Sequence, residues 1–114
     1  MRLLFICCFL ICGPVAASAV DESLTAEAFA KRCDSSFDLK RINTYDAGYC
    51  AAAVRVLIGL GPYLSGELQV CPQNHVIING MAVVSRYIRA HPEKLKDDYL
   101  VVMIDAFQHE WPCK

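Results

Sequence analysis

CPQNHVIINGMAVVSRYIRAHPEKLKDDYLVVMIDAFQHEWPC, residues 71–113, begins and ends at a cysteine and carries two apolar-periodic segments separated by a turn. From Val76 to Arg89 the apolar positions Ile77, Met81, Val84 and Ile88 recur at three- and four-residue spacing, which is the stripe of an amphipathic helix. Gly80 inside that stripe weakens the helix unless a neighbouring helix approaches closely there. The turn follows at Ala90-His91-Pro92-Glu93. Proline suits the first position of a helix, and Glu93, Asp97 and Asp98 bring negative charge to a helix's positive end. A second helix is therefore expected from Pro92, with Leu95, Tyr99, Val102, Met103, Ala106 and Phe107 facing inward, and Pro112 ends it.

Working back toward the start of the chain, Asn43 followed three residues later by Asp46 is a helix-start signal. Residues 45–60 carry two charges, Asp46 and Arg55. A helix apolar nearly all round is expected at the buried centre of a small bundle. Gly59-Leu60-Gly61-Pro62 stops it. A strand over Val54–Leu60 competes, and the run Ala51-Ala52-Ala53 favours helix. A shorter helix, capped by Ser23 or Thr25, is expected through Arg32, with Leu24, Ala28, Phe29 and Cys33 inward. Asp34–Thr44 reads as a loop with one helical turn around Phe37 and Leu39. Residues 63–73 read as an irregular connection.

Residues 1–19 join a charged start, an apolar run from Leu3 to Val15 and the small residues Ala17-Ser18-Ala19, the pattern of a cleaved secretory leader. The run is broken at Gly13-Pro14 and falls short of the roughly 20 residues a bilayer span needs. The expected product is one domain, residues 20–114, free of the membrane. Its formal charges nearly balance, at −1 for the whole sequence. No basic cluster marks a nucleic-acid surface.

Of seven cysteines, Cys33, Cys50, Cys71 and Cys113 follow the leader. In a small exported domain four cysteines form a disulfide framework with three connectivities. Four helices joined by short connections give an all-α, antiparallel up-and-down bundle. Cys33 and Cys50 then share one pole, and Cys71 and Cys113 the other. Joining Cys50 to Cys71 would require recovering about 15 Å of helix axis against a Cα separation limit near 7 Å. The expected pairs are Cys33 with Cys50 and Cys71 with Cys113.

No catalytic pattern accompanies this frame. Ser65-Gly66 lacks the strand-turn-helix context of a nucleophile elbow. His75, His91 and His109 are scattered without metal-ligand spacing, and Cys71 is lost as a ligand once oxidised. Asp97-Asp98 complements a helix dipole. Met81 and Met103 fall on core stripes. The chain is expected to be no enzyme and to carry no metal or cofactor.

The segment Val84-Ser85-Arg86-Tyr87-Ile88-Arg89-Ala90-His91-Pro92-Glu93-Lys94-Leu95, with Asp105-Ala106-Phe107 and the ending Trp111-Pro112-Cys113, resembles the Rap/Tai family of immunity proteins. Cys50 and Cys71-Pro72 match its cysteine framework. The family usually places Gly-Tyr after the second cysteine, whereas here Gly48-Tyr49 precedes Cys50 and Ala51-Ala52-Ala53 follows. The resemblance implies a periplasmic helical protein, often a homodimer, that blocks the active-site groove of a peptidoglycan amidase delivered by type VI secretion. The alternative on the same scaffold is a periplasmic protein-binding module or stress chaperone. For partner contacts the sequence offers Tyr63, Leu64, Ser65, Glu67 and Leu68, whose mixture of aromatic, aliphatic and carboxylate groups suits a groove-filling loop. The competing reading has Tyr63, Leu64 and Leu68 closing the end of the bundle. Pro72, His91, Pro92, Glu93 and Pro112 set the fold, and Trp111 either packs beside the terminal disulfide or anchors a partner.

Overall fold

The computed structural model describes residues 18–37, 43–73 and 76–114. The expected leader, apart from Ser18 and Ala19, lies outside these residues, as do Leu39 and His75. Among the described residues four α-helices make up the fold: α1 (Ala26–Ser35), α2 (Thr44–Leu60), α3 (Ile77–Ala90) and α4 (Tyr99–Glu110). Short 3₁₀ turns occur at Glu22–Leu24, Gly61–Tyr63, Gly66–Leu68 and Pro92–Lys94. It is the expected small antiparallel helical bundle, and both disulfides pair as the topology requires: Cys33–Cys50 with Cα atoms 5.2 Å apart and Cys71–Cys113 at 5.1 Å.

Thr25 caps α1, its hydroxyl accepting from the Ala28 amide at 3.3 Å. Ser23 is taken up instead by Asp21, whose carboxylate accepts from the Ser23 amide and hydroxyl. With the helix phased from Thr25, Ala26, Phe29 and Cys33 are buried. Leu24, expected inward, precedes the helix and is exposed, and Ala28 is half-buried. The helix lies across one pole. Its first amides, from Ala26 and Glu27, donate to the Asp97 and Leu95 carbonyls at 2.9 and 3.0 Å just before α4. At its far end Cys33 is bonded into the second turn of α2, and Asp34 accepts from Ser85 and Arg89 of α3.

Asn43 caps α2 as anticipated, accepting from the Tyr45 and Asp46 amides. Cys50, Val54, Leu57 and Ile58 face the core. The expectation that α2 is buried all round is corrected. Tyr45, Gly48, Ala52, Val56, Gly59 and Leu60 are exposed, because α1 and α3 pack against one side and no described element covers the other. Gly80 on α3 serves the close approach proposed for it. A methyl group there would lie 2.6 Å from Val54 Cγ1, 3.0 Å from Ile58 Cδ1 and 3.3 Å from Phe107 Cζ, so α2, α3 and α4 meet at this residue.

The last helix starts later than Pro92. Asp98 is its cap, accepting from the Leu100 amide at 2.8 Å, and Pro92 instead opens a 3₁₀ turn. The carbonyls of Leu95 and Asp97 point to α1, so they do not accept the helical bonds that a continuous helix from Pro92 requires. Val102, Met103, Ala106 and Phe107 fill the core as expected, whereas Leu95 and Tyr99 are half-buried. Tyr99 stacks on Phe29 with ring centroids 4.7 Å apart and shares a 3.3 Å hydroxyl contact with Tyr49. Burial, followed by the Tyr49 hydrogen bond, pushes its phenol up to about 12.

Candidate functional site

The connection between α2 and α3 is built from both ends. Gly61 ends α2 with its carbonyl free to accept from Leu64 and Val70, each at 3.2 Å. Val70 is fully buried and lies directly over Gly61, where an added Cβ would meet the Val70 Cγ2 atom at 1.9 Å. The two ends of a ten-residue excursion are thereby pinned together. Pro72 is buried behind it, and Cys71 is tied to Cys113 beyond the end of α4. The Gln69 side chain crosses the base of the turn and donates to the Pro62 carbonyl at 3.1 Å.

Between these anchors the chain projects outward. Tyr63 is 86% exposed and Leu68 56% exposed, and Ser65 and Glu67 are also exposed. Leu64 alone of the five candidate residues turns inward to pack against the core. The reading in which Tyr63, Leu64 and Leu68 close the bundle is therefore corrected for two of the three: Val70 and Leu64 face the core, and Tyr63 and Leu68 face solvent. Gly66 sits at the tip with φ +61°, a left-handed conformation that favours glycine.

Gln108 of α4 completes the turn. Its side-chain amide donates to the Glu67 carbonyl at 2.6 Å and to the Gln69 carbonyl at 2.9 Å. Neither Gln108 nor the Gly61–Val70 contact was legible in the sequence. Gly61-Pro62 reads as a helix stop, and a glutamine on a helix carries no pattern of its own.

Comparison with protein-family models, with curated proteins and with solved structures gives no match. The loop's own chemistry and the hairpin residues therefore carry the functional reading.

Those hairpin residues have structural work. His91 Nδ1 lies 2.8 Å from the Glu93 carboxylate, and this hydrogen bond holds Glu93 below its ordinary range. Trp111 is half-buried with its ring 5.1 Å from that of Phe107, so it packs on α4, and Pro92 and Pro112 are exposed. His91 and His109 both flank the Tyr87 ring, at 4.2 and 5.9 Å, in a 220 Å³ pocket between α3 and α4 that Arg86 and Glu110 close with a 2.9 Å ion pair. Among the described residues no three histidine, cysteine, aspartate or glutamate side chains are grouped to hold a metal ion. No described helix is long and apolar enough to cross a membrane.

Proposed function

We propose that the protein is an exported inhibitor of the Rap/Tai immunity type, which fills the active-site groove of a secreted peptidoglycan amidase and so protects the cell that makes it. The observation that carries this reading is the anchored Gly61–Cys71 turn, with Tyr63 and Leu68 held in solvent. Exposed large apolar groups on a fixed backbone cost solubility, and a partner surface that covers them recovers that free energy. A steric inhibitor needs shape and rigidity, and pre-organisation lowers the entropy lost on docking. The two disulfides support an oxidising compartment such as the periplasm. Co-purification with the product of the neighbouring gene, followed by assay of the complex on peptidoglycan, tests the reading. An inactive complex is expected; a hydrolase that fails to bind, or binds and keeps cleaving, removes it.

The partner set includes a second copy of the chain, through the uncovered face of α2. Two α2 helices set antiparallel about Ala52 place Val56 against Gly48 and Tyr45 against Gly59. Neither glycine has a neighbour within 4 Å of where a Cβ would stand, so each leaves room for the larger side chain opposite. The apolar groove of Tyr49, Ala53, Tyr99 and Leu100 runs alongside. Sedimentation equilibrium is expected to show a dimer that Ala52→Arg converts to monomer; a wild-type monomer at high concentration counts against this contact.

A further inference from the structure

We infer that Gln108 is the positioning residue of the docking turn, fixing the backbone that presents Glu67 and Leu68; the inference rests on the reading that this turn meets the partner. The turn has little else to hold its tip. Its internal backbone bonds are long, Leu68 to Ser65 at 3.4 Å and Gln69 to Gly66 at 3.3 Å. Tyr63 and Leu68 are exposed and supply little burial to fix it, and Gly66 is the residue type that loses most freedom on ordering. The Gln108 amide carries two hydrogens, and the two carbonyls it serves flank Leu68. One side chain thus determines the direction in which the Glu67–Gln69 backbone, and with it Leu68, faces.

The placement of Gln108 also links the turn to the frame. It lies in the last turn of α4, five residues before Cys113, so the end of one helix holds the turn at its tip through an amide and at its base through a disulfide. Gln69, held by Gln108 through its carbonyl, reaches through its own side chain to Pro62 beside Tyr63. The chain of contacts runs Gln108, Gln69, Pro62, and joins the two exposed anchors into one surface.

The test uses the full oxidised protein. Gln108→Met keeps the side chain's length and removes both donors. Amide hydrogen exchange at Leu68 and Gln69 is expected to quicken about tenfold, the effect of losing bonds that contribute about 1.4 kcal/mol together, while exchange at Ile58 and Val84 stays as in the wild type. Gln108→Glu supplies the signature that a merely structural role would not move. Its carboxylate faces two carbonyls at pH 7 and loosens the turn, then regains a donor as the pH falls through about 4.3. Exchange corrected for its intrinsic pH dependence should tighten over that range in this variant and stay flat in Gln108→Met. Unchanged loop exchange in Gln108→Met overturns the positioning role outright. Faster exchange with affinity for the peptidoglycan amidase that co-purifies with the wild-type protein reduced about tenfold supports it. Faster exchange with unchanged affinity leaves the clamp intact but removes the turn from the docking surface, and with it the role inferred for Gln108 in recognition.

Discussion

Replacing Gly61 with alanine tests the most tightly constrained contact in the Gly61–Cys71 turn. The added methyl carbon would stand 1.9 Å from Val70 Cγ2 and 3.3 Å from both the Val70 Cβ and carbonyl oxygen, against an ordinary carbon–carbon contact of about 3.5–4.0 Å. Swinging the valine side chain relieves the first overlap but not the other two, and Val70 has no exposed surface to swing into. Overpacking of this kind costs about 1–3 kcal/mol. Gly61 has an ordinary helical φ of −50°, so alanine adds no backbone strain and recovers about 0.5–1 kcal/mol from the unfolded chain. The net expected loss is about 1–2 kcal/mol. Val70→Ala alone removes two buried methyl groups and costs about 2 kcal/mol. The double variant loses the 1.9 Å overlap, keeps only the two 3.3 Å contacts and partly refills the cavity, so its loss should be about 1.5 kcal/mol, against a sum near 3.5, giving a coupling of about 2 kcal/mol. Urea unfolding followed by far-ultraviolet circular dichroism, with both disulfides intact, measures all four corners of the cycle. A Gly61→Ala protein as stable as wild type, or a double variant whose losses add within about 0.5 kcal/mol, would refute the contact.

Three further outcomes follow from the same structure. Cys113 is exposed and Cys71 half-buried, whereas Cys33 and Cys50 are both fully buried; graded thiol treatment with alkylation and mass mapping should therefore open Cys71–Cys113 first. On loop closure alone, with separations of 17 and 42 residues, loss of each bond should cost about 3 and 4 kcal/mol respectively. Tyr99, with its phenol at about 12 when folded, ionises near 10 once unfolded. The unfolded chain thus loses that proton first, and stability present below pH 10 is lost between about 10 and 12; Lys94, raised chiefly by its hydrogen bond to Asp105, acts in the same direction above 10.5. Tyr99→Phe should show a shallower alkaline loss in thermal melts at stepped pH. Phe107→Ala empties a fully buried site against Gly80 and Trp111 and should cost about 3–5 kcal/mol by chemical denaturation.

Local periodicity and capping carried most of the fold. The stripe Ile77, Met81, Val84, Ile88, the Asn43 cap and the stop at Gly61-Pro62 each act over a few residues, and each is where the sequence places it. The cysteine pairing followed because helix length alone separates the poles. What escaped was decided by partners distant in sequence. The start of α4 moved from Pro92 to Tyr99 because α1, some 70 residues earlier, takes the carbonyls of Leu95 and Asp97. The face of α2 turned outward because the other short helices pack against one side of it, and no local signal counts neighbours. For the five candidate loop residues composition left two readings open, a groove-filling loop or Tyr63, Leu64 and Leu68 closing the bundle; the outward turn of Tyr63 and Leu68, the inward turn of Leu64 and the anchors Val70 and Gln108 depend on three-dimensional closure.

We propose that the Gly61–Cys71 turn occupies the groove of a peptidoglycan amidase. The most direct test is a titration of peptidoglycan cleavage by the hydrolase that co-purifies with this protein against the wild-type chain and its Tyr63→Arg variant, whose substitution lies in solvent and should leave the helical spectrum and melting temperature unchanged. Cleavage that falls to zero at a one-to-one ratio with the wild-type protein and persists with Tyr63→Arg is the predicted result. Equal inhibition by both proteins, or cleavage untouched by either, would contradict it.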